Sequence, residues 1–423
     1  MRSVEEQQAR VSAAAVAPRP VRVAIAEAQG LMCAEEVVAE RPMPAFDQAA
    51  IDGYAVRSVD VLGADAIGDS SDERGDVSDA PITLPVLGTI EAGARTPTRL
   101  QPKLATRIQT GAPMPTLADA VLPLRWTDGG NSRVRVLRAV RPGDYVRRVG
   151  DDVQPGDVAV RAGTVVGAAQ VGLLAAVGRD RVLVHPRPRL SVLAVGGELV
   201  DVNRTPGNGQ VYDVDSYALA AAGRDAGAEV NRVGIVSSEP TKLREVVEGQ
   251  LNRAEVVVIA GGVGGAAADA VRAALSGLGE LEVSRIAMHP GSVQGFGQLG
   301  PEGVPTFLLP TNPVSALVVF EVMIRPLIRL SLGKREPMRR MVRARTLGAI
   351  SSMPGRKGYL RGQLMRDEQT DEYLVQVLGG SGGTSSHLLA TLAEANCLVV
   401  VPEEVEQIDS GEMVDVAFLA QRG

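Results

Sequence analysis

The chain has 423 residues, with 50 acidic and 44 basic side chains and a formal net charge of −6. This length predicts about three domains, and 45% hydrophobic with 22% charged residues is typical of a globular protein. The acidic balance and the low aromatic content (five Phe, six Tyr, one Trp) argue against a protein that mainly binds nucleic acid.

Two cysteines and three histidines are too few and too scattered for a disulfide framework or a zinc site. The N-terminus carries glutamates and lacks an apolar core of signal-peptide length. The longest apolar stretch, residues 313–328, is interrupted by Glu321 and Arg325 and is too short to span a bilayer. We therefore expect a cytoplasmic protein with no direct membrane insertion.

The first residues predict a helix over 3–16, because Ser3 and Glu6 form a capping-box pattern at its start. Residues 21–38 predict a short strand that leads into a helix.

Residues 42–148 consist of short β-branched runs separated by Gly and Pro, which predict a small β domain. Its strands are expected near residues 82–90, 133–140 and 144–149. The polar, acidic residues 62–80 predict a mobile loop inside this domain. Residues 151–178 predict Gly-bounded strands followed by a helix.

After residue 186 the pattern changes to short apolar runs that alternate with helical segments. The predicted strands are 189–196, 229–236, 255–262, 281–288 and 305–310, and the predicted helices are 213–226, 240–252, 268–275 and 314–330. Apolar strands separated by helices predict a parallel sheet covered on both faces, with the strand-to-helix loops at one edge. From about residue 334 short strands return, with one helix near 386–395, so the fold class is α/β plus β.

Three of the strand-to-helix loops carry candidate site residues. The first is a glycine-rich loop that includes Gly261 and Gly262, whose backbone could approach an anion at a helix N-terminus or could only pack the helix against the strand. Asp269, one turn into the next helix, is a candidate metal or hydroxyl ligand, or an exposed first-turn acid. The second loop follows the first α/β strand, and its Glu198 is a candidate site carboxylate or a solvated loop residue.

The third loop contains Asn312, Pro313 and Ser315 at another predicted helix start, where Ser315 is a candidate cap. The common position of all three loops at one sheet edge is the argument for a site there.

Seven segments, taken in order, resemble the family of MoeA and the gephyrin E domain over essentially the whole chain. They are 44–56, 107–115, 150–157, 196–219, 261–269, 287–297 and 309–317.

The resemblance implies an elongated homodimer with four subdomains per chain. These would be an α/β molybdopterin-binding-like domain (1–20 and 180–333), a linker and dimer subdomain (21–45 and 148–179), a small β domain (46–147) and a C-terminal β domain (334–423). It also implies a molybdopterin molybdenumtransferase, which inserts molybdate into adenylated molybdopterin with Mg²⁺ and releases AMP.

The site residues that the resemblance implies fall into three groups. Glu198 and Asp269 would be catalytic, with Asp269 also binding the metal. The substrate would contact Asp52, Thr110, Asp152, Gly261, Gly262, Asn312, Pro313 and Ser315.

Departures from the family pattern are concentrated at the predicted anion site. Val195 stands where the family commonly has a hydroxyl, Gly197 where it has a carboxylate, and Gly264 where it has a serine. His289 and Ser292 replace two lysines, and Thr311 replaces a glycine. Charge-assisted contacts contribute roughly 1.5–3 kcal/mol each, so these losses could remove on the order of 4–7 kcal/mol of binding or transition-state stabilisation. Arg272 is on a different element from the lost lysines and is not expected to replace them.

Two functions therefore remain open: an active enzyme, or a gephyrin-like scaffold that binds a linear peptide while the pterin site is unused. For the scaffold, the resemblance places the groove between the N-terminal helix, near Gln8, and the last domain, near Pro402. Pro402 could instead only end a strand. A third possibility is binding of molybdate or pterin without turnover.

Lysine occurs at only four positions, Lys103, Lys242, Lys334 and Lys357, which is typical of a GC-rich, for example actinobacterial, genome. With such a source, the chain is similar to gephyrin-like division proteins (Glp), which bind the tail of the tubulin-like GTPase FtsZ.

Overall fold

The computed structural model describes residues 1–64, 81–96, 98–379 and 389–419. From residue 65 on, the predicted mobile loop lies outside the described residues. Contacts within the chain define two compact units: residues 22–183, and residues 1–21 together with 184–423. The finer division into four subdomains stays a prediction.

The N-terminal helix is α1 (Val4–Ala13), and it begins as predicted. The Ser3 hydroxyl accepts from the Glu6 backbone N–H, and the Glu6 carboxylate accepts from the Ser3 N–H, so the capping box is confirmed.

The unit of residues 22–183 is made mainly of short strands. Its elements are β1 (Val21–Ala24), β2 (Met32–Cys33), β3 (Val37–Val38), β4 (Gln48–Ala49), β5 (Gly53–Val56), β6 (Thr83–Ile90), β7 (Ala105–Ile108), β8 (Ala120–Pro123), β9 (Arg133–Arg135), β10 (Val146–Arg147), β11 (Val158–Val160), α2 (Ala168–Ala176) and β12 (Arg181–His185). The largest sheet has the order β8-β5-β7-β6-β9 and encloses a core that includes Tyr54 and Leu122. The small β domain is therefore present.

The predicted helix within residues 21–38 is wrong. That segment forms β1, one 3₁₀ turn (Ile25–Glu27), β2 and β3. Gly30 has a φ of 81°, which ends helical geometry just after the turn, and β2 then joins the sheet beside β12.

The α/β part of the second unit is close to its prediction. Its elements are β13 (Arg189–Val195), β14 (Leu199–Val200), β15 (Val211–Tyr212), α3 (Asp215–Ala226), β16 (Glu229–Val236), α4 (Pro240–Leu251), β17 (Val256–Val263), α5 (Ala268–Leu275), β18 (Gly279–Arg285), β19 (Met288–His289), β20 (Val293–Leu299), β21 (Val304–Pro310), α6 (Pro313–Val319), a π-helical turn (Phe320–Ile324) and α7 (Arg325–Ser331). Alternate residues of β17 face two cores: Val258 packs with α1, α3, α6 and α7, and Ile259 packs with α4 and α5. The sheet is thus covered on both faces.

The sheet is mixed rather than parallel throughout. Its order is β16-β13-β17-β21-β20-β18, in which β20 runs antiparallel to both of its neighbours, β21 and β18. Strand β20 has no counterpart in the predicted elements, because Gly295 and Gly297 interrupt its apolar pattern. Both glycines are needed there: a Cβ on Gly297 would lie 2.0 Å from the Glu280 carbonyl oxygen, and one on Gly295 would lie 2.8 Å from the Leu308 Cβ.

The last part of the chain closes into a five-stranded barrel. Its elements are β22 (Met341–Thr346), β23 (Ile350–Ser351), β24 (Lys357–Arg366), β25 (Tyr373–Val377), α8 (Leu389–Glu394), β26 (Cys397–Val401), β27 (Gln407–Ile408) and β28 (Met413–Phe418). The order β24-β25-β22-β28-β26 closes through pairing of β26 with β24, while β19 adds to the open side of β24. None of the helices that the described residues form has the length and hydrophobicity of a bilayer span.

Candidate functional site

Two of the candidate substrate residues meet at the edge of the five-stranded sheet of residues 22–183. Asp52 directly precedes β5 and Thr110 follows β7, the antiparallel neighbour of β5. The Thr110 N–H donates to Asp52 Oδ1 at 2.7 Å, and the Thr110 hydroxyl donates to the Ala50 carbonyl at 3.1 Å. This edge therefore presents a positioned carboxylate at an exposed rim. Asp152 is exposed in the loop between β10 and β11 of the same unit.

Glu198 lies in the turn after β13, on the other unit, and is exposed. Its carbonyl accepts from the Val211 N–H at 2.9 Å, which joins the two short strands β14 and β15. Its carboxylate folds over Gly196, where a Cβ would lie 2.8 Å from both oxygens. Loss of glycine at that position would therefore push the carboxylate outwards.

The glycines of the first predicted loop divide into two kinds. Gly261 and Gly262 are buried within β17, and a Cβ on Gly261 would lie 2.1 Å from the Val195 carbonyl oxygen of the adjacent strand. Gly261 also has a φ of 80°, so the packing role considered for this loop is sufficient to explain it. Gly264 and Gly265 are exposed, also with positive φ values, and are the part of the loop that faces solvent.

Asp269 stands in the first turn of α5 with its side chain 94% exposed. Arg272, one turn further along the same helix, donates to Asp269 Oδ1 at 3.2 Å. Among the described residues, the charged partner of this carboxylate is thus its own helix neighbour, which is the exposed first-turn arrangement.

The third loop caps a helix through a different residue than predicted. The Asn312 side chain accepts from the Ser315 N–H at 3.0 Å, so Asn312 and not Ser315 caps α6, and Pro313 occupies the first helical position. The side-chain oxygen of Asn312 therefore accepts a hydrogen bond from the backbone of α6, and Ser315 is buried.

A polar cluster that sequence reasoning missed fixes the segment after Glu198. The Arg232 guanidinium lies 3.8 Å from the centre of the Tyr217 ring and donates to Ser216 Oγ at 3.0 Å and to Asp201 at 3.5 Å. Tyr217 donates to Asp201 at 3.2 Å. Because Asp201 follows β14, these contacts hold the turn that carries Glu198.

Two aspartates at the start of α3 extend this cluster. Asp213 is buried and accepts from both the N–H and the hydroxyl of Ser216. Asp215 Oδ1 is buried without a hydrogen-bond partner, and burial together with the Asp213 charge raises the pKa of Asp215 to about 7. In the sequence, two acids and a serine within four residues at the start of a predicted helix are the pattern that could have indicated this cluster.

A cavity of about 210 Å³ lies between α1, the π-helical turn and the outer face of the barrel; we call it the groove. Its apolar lining contains three flexible or aromatic residues, Met338, Met341 and Tyr359. Val322, Leu398, Val400, Ala417 and Leu419 complete the apolar lining, and Gln8, Glu321, Arg339 and Lys357 supply polar groups. Methionines suit a surface that adapts to a partner.

Gln8 is positioned by a break in the helical ladder. Pro326 has no N–H to donate to the carbonyl of Val322, four residues earlier. That carbonyl instead accepts from the Gln8 side-chain amide at 3.0 Å. The predicted residue thus connects α1 to the floor of the groove.

The charges of the groove are paired. Arg339 donates to both oxygens of Glu321, at 2.9 and 3.1 Å, and Lys357 pairs with Glu5 of α1. Burial, helped by the Glu5 charge, raises the pKa of Tyr359, so this phenol stays neutral. Pro402 lies elsewhere, in a neighbouring cavity with Val405 and Met413, and the two predicted peptide residues do not share a cavity.

The described residues offer no all-protein cage for the implied Mg²⁺. Over the described parts of the chain, no three His, Cys, Asp or Glu side chains are close enough together to hold a metal ion. Asp269, the predicted ligand, is paired with Arg272.

Comparison with known proteins gives consistent results along the chain. Family models match the MoeA N-terminal region (domains I and II) at residues 2–178, a probable molybdopterin-binding domain at 191–330 and the MoeA C-terminal region (domain IV) at 343–419.

Two relatives come from Mycobacterium tuberculosis. Molybdopterin molybdenumtransferase 1 is 80% identical over 100% of both chains, and molybdopterin molybdenumtransferase 2 is 36% identical over 98% of this chain and 99% of its own. The crystal structure of a molybdopterin biosynthesis MoeA protein from Pyrococcus horikoshii has 30% identity and a TM-score of 0.79, covering 99% of each chain. The chain therefore belongs to the MoeA family of molybdopterin molybdenumtransferases, as its seven motifs indicated.

Proposed function

We propose that this member of the family acts as a homodimeric scaffold whose groove binds an extended peptide, with the tail of FtsZ as the candidate partner in cell division. The single observation that carries the proposal is the groove itself, an apolar cavity with Gln8 in its lining. Its walls would take an apolar side chain, and its paired charges leave no strong attraction for a polyanion.

The state of the α/β loops supports the same proposal. Asp269 is exposed and ion-paired, the Asn312 side chain caps a helix, and Gly261 is required by packing. The loops also lack the two lysines and the hydroxyls that a pterin phosphate and molybdate would need. Insertion of molybdenum would thus be weak.

Binding of a peptide with the sequence of the FtsZ tail tests this proposal by calorimetry on the full chain. Met341→Glu places a charge in the groove and should abolish binding. Met365→Glu is the matched control, because Met365 is comparably exposed on the same barrel but outside the groove. Met413→Glu alters the cavity of Pro402, and a loss of binding there alone would move the site to that cavity. Equal binding by all variants would refute the groove.

A second candidate, active molybdopterin molybdenumtransferase, is favoured by the contact of Asp52 with Thr110 and by the name of the relative that is 80% identical. In that case molybdate and adenylated molybdopterin would be the two substrates. Release of AMP from adenylated molybdopterin with molybdate and Mg²⁺, lost in Asp269→Ala, would establish it against the scaffold. Rescue of a strain without its molybdenum insertase would give the same answer in cells.

A further inference from the structure

Helix α7 ends in a backbone motif that brings two cations together. Gly333 has a φ of 72°, and its N–H donates to the Leu330 carbonyl at 2.8 Å. The Lys334 N–H donates to the Arg329 carbonyl at 3.0 Å. These two hydrogen bonds form a Schellman motif, in which the residues at the positions of Arg329 and Lys334 lie side by side and usually make an apolar contact. In this chain the motif instead places an ammonium group beside a guanidinium group.

The pair belongs to a larger cluster in which positive charges outnumber negative ones. Arg325, one turn before Arg329, is 7% exposed, and its Nε lies 3.8 Å from the Glu321 carboxylate. Arg339 donates to both oxygens of that carboxylate and, at 3.0 Å, to Asp225. Burial and the charges of Arg339 and Arg329 lower the pKa of Arg325, so these like charges are close to one another. With the lysine, the cluster holds four cations and two carboxylates.

Neither member of the pair at the end of α7 has a carboxylate of its own. Within the described residues no ion pair reaches Lys334 or Arg329, and the Nε of Arg329 is buried without a hydrogen-bond acceptor. The remaining stretches of this unit, 380–388 and 420–423, contain no aspartate or glutamate. Positive charge is therefore in excess at the end of α7.

These surroundings make Lys334 a nucleophile. Its side chain is half-buried, and burial together with the Arg329 charge lowers the pKa of Lys334. A lysine with a lowered pKa has a larger unprotonated fraction at neutral pH, and the unprotonated amine is the form that attacks carbonyl carbons.

The three other lysines of the chain lack these surroundings. Lys242 pairs with Glu239 at 3.7 Å, and Lys357 pairs with Glu5. An opposite charge at that distance favours the protonated, unreactive form of the amine. Lys103 is exposed, so water solvates its ammonium group. The chain thus contains its own reference amines.

The charge around the reactive amine favours an acyl donor that is an anion. A region of excess positive charge raises the local concentration of anions, and a guanidinium group makes charge-assisted hydrogen bonds to phosphate oxygens. In an acyl phosphate, the phosphate that such a group binds is bonded directly to the carbonyl carbon that an amine attacks.

We propose that Lys334 is an acylation site, which takes the acyl group of an acyl phosphate whose phosphate contacts Arg329. The unprotonated Nζ attacks the carbonyl carbon, a C–N bond forms, and the bond from that carbon to the phosphate oxygen breaks. The nitrogen gives its proton to the departing inorganic phosphate, and nothing is oxidised or reduced. The site depends neither on peptide binding in the groove nor on molybdenum insertion.

The test exposes the full chain to acetyl phosphate near neutral pH, and mass spectrometry follows acetylation of each lysine with time. We expect Lys334 to react about fivefold faster than Lys103 or Lys242. Arg329→Gln should slow the reaction of Lys334 about tenfold, through the loss of one charge-assisted contact. Arg335→Gln, which removes an exposed charge from the same segment, is the matched control.

An uncharged acyl donor, N-hydroxysuccinimide acetate, separates the two effects of Arg329. Arg329→Gln should slow this donor less than acetyl phosphate, because it then changes only the charge beside the amine. Equal slowing of both donors would overturn the contact between Arg329 and the phosphate.

Two further outcomes would overturn the acylation site itself. In one, Lys334 is acetylated no faster than Lys103; in the other, Arg329→Gln and Arg335→Gln react alike with acetyl phosphate. Acetylation of Lys103 and Lys242 at the parent rates shows that a variant is folded, since an unfolded chain would expose all four lysines equally.

Discussion

At the edge of the small β domain, Asp52 is held by the Thr110 N–H at 2.7 Å. At the edge of the α/β sheet the Asp269 side chain is 94% exposed and, among the described residues, pairs with Arg272 of its own helix. Both aspartates match the family motifs in sequence, although the other departures from the motifs lie on the α/β side. The difference teaches that a retained motif residue is not by itself a retained site. One carboxylate is positioned by a residue that follows the neighbouring strand, whereas the partner of the other, within the described ranges, is Arg272 of its own helix.

The largest expected effect concerns the glycines of the α/β edge. Gly261→Ala should lower the free energy of unfolding by about 3 kcal/mol or more, because its Cβ would meet the Val195 carbonyl oxygen and φ is positive. Gly264→Ala has the same sign of φ but open space around it, so it should cost only about 1 kcal/mol. Urea unfolding followed by circular dichroism compares the two. Equal costs would contradict the packing role of Gly261.

The next effect depends on pH and on Asp215. The folded chain keeps this carboxyl protonated up to about pH 7, whereas an unfolded aspartate releases its proton near pH 4. The unfolding free energy therefore falls as pH rises from about 4 to 7, and it levels off above that range. Asp215→Asn should remove this fall.

The variant should then be more stable than the parent by up to about 4 kcal/mol at pH 8 and equal to it near pH 4. Hydrogen exchange of α3 peptides at both pH values measures the difference. Asp201→Asn, an exchange of a partly exposed acid in the same cluster, is the control. A stability difference between variant and parent that does not change with pH would contradict the raised pKa of Asp215.

A smaller effect is expected for the residue that connects α1 to the groove. Gln8→Ala removes the donor to the Val322 carbonyl, which Pro326 cannot replace, and should cost about 1 kcal/mol. Exchange at the π-helical turn should rise in this variant. Gln101→Ala, an exposed glutamine, should leave the urea midpoint unchanged. A stable Gln8→Ala chain with unchanged exchange would show that the carbonyl finds water.

The sequence predicted the elements of the α/β sheet better than it predicted the site. Helix α5 and strand β16 have the predicted bounds because apolar periodicity and burial coincide there. Strand β20 was missed because close packing against Glu280 and Leu308 demands glycines, which are otherwise rare in strands. The Arg232 cluster was missed because its members come together only through the packing of β16 on α3.

The smallest expected effect returns to the two edges. Asp269→Asn should leave the urea midpoint unchanged, since an exposed ion pair along a helix contributes little to stability. Asp52→Ala removes the acceptor for the Thr110 N–H and should lower the unfolding free energy by about 1 kcal/mol. Thr110→Val, which keeps that N–H and loses only the hydroxyl bond to Ala50, separates the backbone contact from the side-chain contact. If Asp269→Asn were the more damaging change, its carboxylate would have to be held by groups beyond its own helix, and the active enzyme would become the better proposal.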